Sequence, residues 1–177
     1  PGRRCGVTPM KMTDTPAKKL AFLGLLTALA VVMGYVEYLI PLPLPVPGIK
    51  LGLCNIIIVF VLWRFGFLHA LAVSCVRVVI IGLLFGSPVS MIYGLSGACL
   101  SLAGMALLKK AGCFSVTGVS AAGGALHCTG QIAVAVLLTG SSGIVRYLPV
   151  LLVSGEFTGA VIGLVDALIL KRLAKQQ

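Results

Sequence analysis

The sequence predicts an all-α fold: one integral membrane domain built as a bundle of six transmembrane helices. Of the 177 residues, 59% are hydrophobic and only 10% are charged, and the mean hydropathy is +1.11. Soluble domains carry about a quarter charged residues, so this chain has too few polar side chains to cover a water-exposed surface. The apolar residues also form long runs, as spanning helices of about 20 residues require. A soluble monomer is therefore excluded.

Six apolar runs supply the helices, and no segment between them is long enough to fold as a soluble domain. In chain order the runs cover residues 20–40, 51–63, 66–85, 87–107, 115–138 and 147–170. They form one transmembrane domain, residues 19–173, between an N-terminal tail (1–18) and a short C-terminal tail (174–177). The chain begins with proline, and Met10 or Met12 could be the native start.

Two of the runs leave alternatives open. The second run is short for a full span, so we expect a helix that is tilted, kinked or extended by the proline-rich residues before it. A re-entrant helix is the alternative. The first run follows Lys18 and Lys19 and contains Ala28-Leu29-Ala30, a pattern typical of a signal peptide. Its apolar stretch continues well past that point, which favours a retained helix.

The positive charges predict how the bundle is oriented. Eleven Lys and Arg residues fall on the side of the two termini, only Lys50 and Arg146 fall on the other side, and Arg77 lies within the third run. Because cytoplasmic segments carry the excess of Lys and Arg, we expect a cell-membrane protein with both termini in the cytoplasm. The charges form no basic stripe with interleaved aromatic residues, so the net charge of +10 does not indicate nucleic-acid binding.

The motifs that an autonomous enzyme would need are missing. The sequence contains no glycine-rich phosphate loop ending in GK[ST], no HExxH and no GxSxG. Its four acidic residues, Asp14, Glu37, Glu156 and Asp166, cannot form the Asp-rich clusters that hold magnesium diphosphate in prenyl transferases. The six cysteines show no CxxC pair, and we interpret them as small buried hydrophobic residues, with a structural disulfide as the alternative. We expect a non-enzymatic protein without metal or cofactor.

Polar residues inside the predicted helices are the candidates for function, because ionisable groups are costly in a bilayer. Most of them lie toward the outer side, whereas the inner half holds little beyond Asp166, which is placed to meet Lys171 or Arg172. We therefore predict a polar substrate pocket inside the bundle that opens outward. Its candidate lining residues are Glu37, Lys50, Asn55, Arg77, Tyr93, His127, Gln131 and Glu156. The two basic residues suggest an anionic ligand, although the two glutamates leave the charge balance open.

Several candidates also have a structural interpretation. Arg77 can pair with a membrane glutamate, and a neutral His127 can bond to a neighbouring carbonyl. Asn55 can cap a helix start, and Tyr93 can belong to the aromatic belt at the membrane interface. The proline-rich segment 41–48 on the outer side can be a stiff lid across the pocket mouth or a plain connector.

Small residues at helical spacing predict the helix contacts, since helices in lipid associate by close packing. The fourth and sixth runs carry them on one face each, at Gly94, Gly97, Ser101 and Gly104 and at Gly155, Gly159 and Gly163. We interpret both sets as packing within the bundle. Gly24 and Ala28 in the first run form a further pair at this spacing, which could dock another membrane subunit.

From Lys19 to Leu173 the sequence resembles the Gx transporter family, also described as heptaprenyl diphosphate synthase component I. The matching pieces are Tyr35-Val-Glu37, the proline-rich turn, Pro47-Gly-Ile-Lys-Leu-Gly-Leu53 with Asn55, Arg77 with Gly82-Leu-Leu-Phe-Gly86, and His127 with Gly130-Gln131. That family is in turn similar to the substrate-binding S components of energy-coupling factor (ECF) transporters.

The resemblance implies a six-helix S component that binds a vitamin or similar micronutrient from outside. Such components dock on a transmembrane coupling subunit with two ATPases, through a small-xxx-small pair in the first helix, and Gly24 and Ala28 occupy that place. The synthase description implies the alternative, a membrane component associated with heptaprenyl or other polyprenyl diphosphate synthesis. A scaffold without a small ligand is a third hypothesis.

Overall fold

All regular structure in the described part of the chain is helical. A computed structural model describes residues 15–39 and 52–175. The helices are α1 (Pro16–Leu39), α2 (Leu53–Phe65), α3 (Phe67–Leu84), α4 (Pro88–Ala111), α5 (Val116–Thr139) and α6 (Leu148–Ala174), and a short 3-10 helix (Ser142–Tyr147) leads into α6. The predicted all-α membrane bundle is confirmed, because five of these helices are long and apolar enough to cross a bilayer.

The six helices alternate in direction. The ring of Phe22, early in α1, lies 5.8 Å from that of Phe65 at the end of α2. A Cβ atom at Gly163, late in α6, would lie 2.6 Å from Cα of Thr117 at the start of α5. One end of the bundle therefore holds the start of α1 and the end of α6. We call it the terminal end, and the opposite end the distal end.

Local capping explains where the longer helices start and stop. Ser87 precedes α4 and forms a reciprocal capping box with Ser90, and the Ser115 hydroxyl accepts a bond from the Gly118 N–H at the start of α5 (3.1 Å). Helices α4 and α5 both end at a glycine in the left-handed conformation. This conformation commonly ends a helix, and glycine adopts it most easily because it has no side chain. These caps place each turn within a few residues of its predicted position.

Helix α2 is a short, buried helix. Its 13 residues extend about 20 Å, whereas the hydrocarbon layer is about 30 Å thick. Val61 and Leu62 are almost fully buried, and Lys109 Nζ on α4 donates to the carbonyl oxygens of Leu62 (2.8 Å) and Trp63 (3.3 Å). The lysine satisfies carbonyl groups that would otherwise lack a partner at the helix end. The proline-rich residues that were predicted to extend α2 lie outside the described residues.

Glycines let α5 and α6 pack backbone against backbone. A Cβ atom at Gly155 would lie 2.7 Å from the carbonyl oxygen of Gly124, and one at Gly159 would lie 2.5 Å from that of Ser120. Real Cβ atoms do not approach this closely, so any larger residue forces the two helices apart. The prediction that the glycines of the sixth run pack within the bundle is confirmed.

The small residues of α4 make similar contacts with α5. Ser101 Oγ donates to the carbonyl oxygen of Gly123 (2.8 Å). A Cβ atom at Gly97 would lie 2.8 Å from the carbonyl oxygen of His127, and one at Gly130 would lie 3.0 Å from Cα of Gly97. Helices α4, α5 and α6 therefore form one closely packed layer, and a helix-packing role for the small residues of the fourth run is confirmed.

Asp166 departs from the prediction that it meets a basic residue of the terminal end. Its side chain is fully buried, and neither carboxyl oxygen has a hydrogen-bond partner among the described residues. Lys171 and Arg172 are exposed instead. Asp166 lies on the inward face of α6, so its side chain cannot follow the two basic side chains to the surface.

Replacing Gly159 with alanine should destabilise the bundle by about 1–3 kcal/mol, because the added methyl group overpacks the α5–α6 contact. Gly24→Ala is the matched control, since a Cβ atom at Gly24 meets nothing within 4 Å. Thermal unfolding of the purified protein in one detergent measures both. Equal melting temperatures for the two variants would contradict the close backbone contact.

Asp166→Leu should keep or raise the stability, by up to about 3 kcal/mol, because it removes a buried polar group that has no partner. Asp166→Asn, which keeps a polar group of the same size, should melt close to the wild-type temperature. A marked loss of stability in the leucine variant alone would show that the carboxyl group makes a stabilising bond.

Candidate functional site

A cavity of about 340 Å³ lies between the helices, and residues from all six of them line it. Its volume is within the range of about 300–1,000 Å³ that is usual for small-molecule sites. The described residues of the bundle thus enclose a chamber, as the concentration of polar residues in the sequence predicted.

Five of the eight predicted site residues line this cavity, namely Glu37, Asn55, Arg77, His127 and Gln131. The structure does not bring two others to it: Tyr93 is half-buried outside the lining, and Glu156 lies on an exposed face of α6. The face of α6 that borders the cavity is the glycine face, so the side chain of Glu156 points away from it. Lys50 and the proline-rich segment 41–48 lie outside the described residues.

The carboxylate of Glu37 connects the end of α1 to the start of α2. Its Oε1 accepts a hydrogen bond from the backbone N–H of Gly52 (2.5 Å), and its Oε2 accepts one from the thiol of Cys54 (3.7 Å). Gly52 has φ +69°, which a residue with a side chain rarely adopts, so glycine is required where the chain enters α2. Both oxygens of Glu37 are therefore used within the protein.

Arg77 on α3 completes this polar connection but keeps its charge. Its Nη1 donates to the sulfur of Cys54, and its Nε is buried without a hydrogen-bond partner in the described part of the protein. The predicted structural alternative, an ion pair with Glu37 or Glu156, is absent among these residues. Arg77 reaches the carboxylate of Glu37 only through the thiol of Cys54, so it has no direct carboxylate partner among the described residues.

Cys54 is a cavity residue that the sequence analysis did not include among the site candidates. The thiol is 3% exposed, as expected for a small buried hydrophobic residue, yet it also lies between the carboxylate of Glu37 and the guanidinium of Arg77. A lone cysteine in an apolar run gives no spacing signal of this kind. Only its position beside Asn55, another cavity residue, could have indicated it.

His127 and Gln131, which both belong to α5, form another wall of the cavity. They are one helical turn apart and face α4 where Gly97 leaves room for them, since a Cβ atom at Gly97 would lie 3.0 Å from both Gln131 Cγ and His127 Cε1. Asn55 does not cap α2 with its side chain, and it lines the cavity instead. The small residues of α4 thus set the position of the polar groups on α5.

The cavity also reaches the half of the bundle that was predicted to be featureless. Met105 and Ser120 line its inner part. Ile162 also lines it but reaches the start of α2, since a Cβ atom at Gly52 would lie 3.1 Å from Ile162 Cδ1. Along α5 the lining runs from Gln131 to Ser120, eleven residues, or about 16 Å. The predicted polar pocket of the outer half is therefore one end of a longer, amphipathic chamber.

The rim of the cavity lies at the distal end. Tyr38, Gly86 and Ser90 are its exposed lining residues. Beside them, the ring of Phe85 lies 4.7 Å from Tyr35 and 5.6 Å from Tyr38 and closes the seam between α1 and α3. Aromatic side chains of this kind are typical of the bilayer interface.

A second candidate site is the free face of α1 near the terminal end. Gly24 and Ala28 are both exposed, and Leu20, Leu25 and Leu29 beside them are 43–73% exposed. The small pair packs against no other helix within the described bundle. Its position agrees with a contact surface for lipid or for another membrane protein.

No metal centre is present in the described ranges: no three His, Cys, Asp or Glu side chains lie close enough together to hold an ion. The cavity can therefore supply hydrogen bonds, one cationic group and apolar surface. These groups are suited to binding a small molecule.

Arg77→Met should leave the ligand-free protein as stable as the wild type or more stable by about 1–3 kcal/mol, because it removes a guanidinium whose Nε is buried without a hydrogen-bond partner among the described residues. The exposed Arg146→Met is the matched control and should have no effect. Thermal unfolding measures both variants. A large loss of stability in Arg77→Met alone would mean that the guanidinium is part of the structural core and not held for a ligand.

The comparisons with known proteins identify a family but no individual relative. The sequence model described as heptaprenyl diphosphate synthase component I matches residues 26–169. No curated protein and no solved structure matches the chain. The matched residues include every described residue of the cavity.

Proposed function

The chain belongs to the heptaprenyl diphosphate synthase component I family, and from this premise and the cavity we propose that it is the substrate-capture subunit of a membrane importer. It would bind a small molecule in the cavity and pass it across the membrane together with a coupling subunit and ATPases. This is the function of an ECF-type S component.

The observation that carries the proposal is Arg77 in a chamber with a distal rim, without a direct carboxylate partner among the described residues. A membrane protein that needed Arg77 only for its fold would be more stable with the charge paired. Asn55, His127 and Gln131 add hydrogen-bonding groups to the lining of the same cavity. Such an arrangement is characteristic of sites in which a few polar groups orient a ligand within apolar walls.

The charge distribution supports capture from outside the cell. The terminal end carries the excess of Lys and Arg, and this end is expected to be cytoplasmic in the cell membrane. The cavity rim at the distal end would then face the exterior. A ligand would enter from that side before the partner subunits hydrolyse ATP.

The exposed pair Gly24 and Ala28 supports a partner in the membrane. The sequence has no nucleotide-binding loop, so ATP hydrolysis would come from other subunits. The free face of α1 offers small residues that let a second helix approach closely.

A ligand screen tests the proposed function directly. The purified protein and its Arg77→Ala variant are heated with vitamins, flavins and prenyl diphosphates, and the shift in melting temperature is recorded. At least one compound should stabilise the wild type, and Arg77→Ala should lose most of that shift. If no compound stabilises either protein, the capture function is contradicted.

Gly24→Leu should abolish transport and leave ligand binding unchanged, because the added side chain blocks the approach of a partner helix. Ala103→Leu, on an exposed face of α4, is the matched control and should transport normally. Uptake of the ligand by cells and binding to the purified variants are the two measurements. Wild-type uptake in Gly24→Leu would refute docking through this face.

The family description favours a second candidate, a membrane component associated with polyprenyl diphosphate synthesis. In that case the protein should co-purify with a soluble prenyl synthase, and its deletion should change the chain length of the product. The described residues offer no Asp-rich cluster for magnesium diphosphate, so the partner enzyme would supply the metal chemistry.

A further inference from the structure

Glu156 is an ionisable residue on the outside of the bundle. It lies on an exposed face of α6 beside Val153 and Phe157, whose side chains are 69% and 73% exposed. Val161 and Leu164, which are also exposed, continue this surface toward the terminal end. We call the surface formed by these five residues the outer α6 face. It is apolar except for the carboxylate of Glu156.

The position of Glu156 along α6 places it within the hydrocarbon layer. Lys171, an exposed residue in the last turn of α6, marks the terminal boundary of that layer. Glu156 precedes it by fifteen residues, or about 22 Å, in a layer about 30 Å thick. Glu156 also follows the exposed Tyr147 by nine residues, or about 13 Å. The carboxylate therefore lies about 8–13 Å inside the distal boundary.

The described part of the chain supplies no partner for this carboxylate. Glu156 makes no hydrogen bond or ion pair with another described residue. It is turned by about 120° around α6 from Ile162, the residue beside Gly52 where the chain enters α2. The exposed Arg146 precedes it by ten residues, or about 15 Å, and glutamate has a shorter stem than the side chains that reach the interface by snorkelling. A carboxylate at this depth is costly without a cation or hydrogen-bond donor beside it.

We infer that the outer α6 face is the contact surface for a transmembrane helix of another protein, and that this helix carries a Lys or Arg side chain at the depth of Glu156. The contact turns two costly membrane charges into one hydrogen-bonded ion pair. A second copy of the chain does not fit, because a two-fold contact through this face brings two Glu156 carboxylates together. The surface is separate from Gly24 and Ala28 near the terminal end of α1, and the inference does not rest on the proposed function.

Single-span leucine-rich peptides test the charge of the partner helix. One peptide carries a lysine at the depth of Glu156, one carries norleucine at the same position, and one carries the lysine a helical turn deeper. Energy transfer between the labelled full chain and each labelled peptide in phosphatidylcholine vesicles measures association. The first peptide should associate about tenfold more tightly than the norleucine peptide, as polar contacts between membrane helices predict. Equal association of these two peptides would overturn the inference.

Variants of the chain test whether Glu156 is the contact. Glu156→Gln should lose the preference for lysine over norleucine. Val76→Gln is the matched control, since it places the same amide on α3 at a side chain that is 45% exposed, and it should associate like the wild type. Glu156→Ala combined with Ala160→Glu moves the carboxylate one turn toward the terminal end, so this variant should prefer the deeper lysine. An unchanged preference for the first peptide would show that lysine binds elsewhere.

Other occupants of the outer α6 face give different results. Self-association of the wild-type chain in vesicles, abolished by Glu156→Gln, would identify a second copy. Loss of the lysine preference in vesicles rich in phosphatidylethanolamine would identify a lipid ammonium group. Either result would overturn the partner helix. None of these measurements uses ligand binding or uptake, so the proposed capture function stands or falls separately.

Discussion

The carboxylate of Glu37 is the group on which the distal end of the structure depends. A carboxylate is costly in a bilayer unless it finds a partner within the protein, and this one binds the backbone N–H of Gly52 and the thiol of Cys54. It thereby joins α1 to the start of α2, and Cys54 extends the connection to Arg77 on α3. Glu37 and Arg77 therefore meet through Cys54 and form no direct ion pair among the described residues.

Backbone packing supplies the other wall of the cavity. Helices α4, α5 and α6 approach through glycines so closely that a single methyl group would clash at several contacts. This layer fixes the positions of His127 and Gln131 in the wall of the cavity. The site therefore combines a polar connection on one side with rigid close packing on the other, and both are needed to keep the chamber open.

Much of the fold could be predicted from the sequence, because a bilayer restricts which residues a spanning helix can contain. Long apolar runs with few charges predict spanning helices, and the glycines of the sixth run predict the α5–α6 contact. The positions of Glu37, Arg77 and Gln131 were predictable for the same reason: polar residues at depth are rare. The rotation of a helix about its own axis could not be predicted in this way. Glu156 lies on the exposed face of α6 and Asp166 on the buried face, a difference set by which face the glycines present to α5.

The terminal end of α2 carries a natural optical reporter. Trp63 is the only tryptophan in the chain, and the ammonium group of Lys109 on α4 lies 4.7 Å from the centre of its ring. A cation held over an indole perturbs its emission, so any sliding of α4 past α2 would change the fluorescence of this one residue. Motion at the terminal end could therefore be followed in real time without attaching a dye.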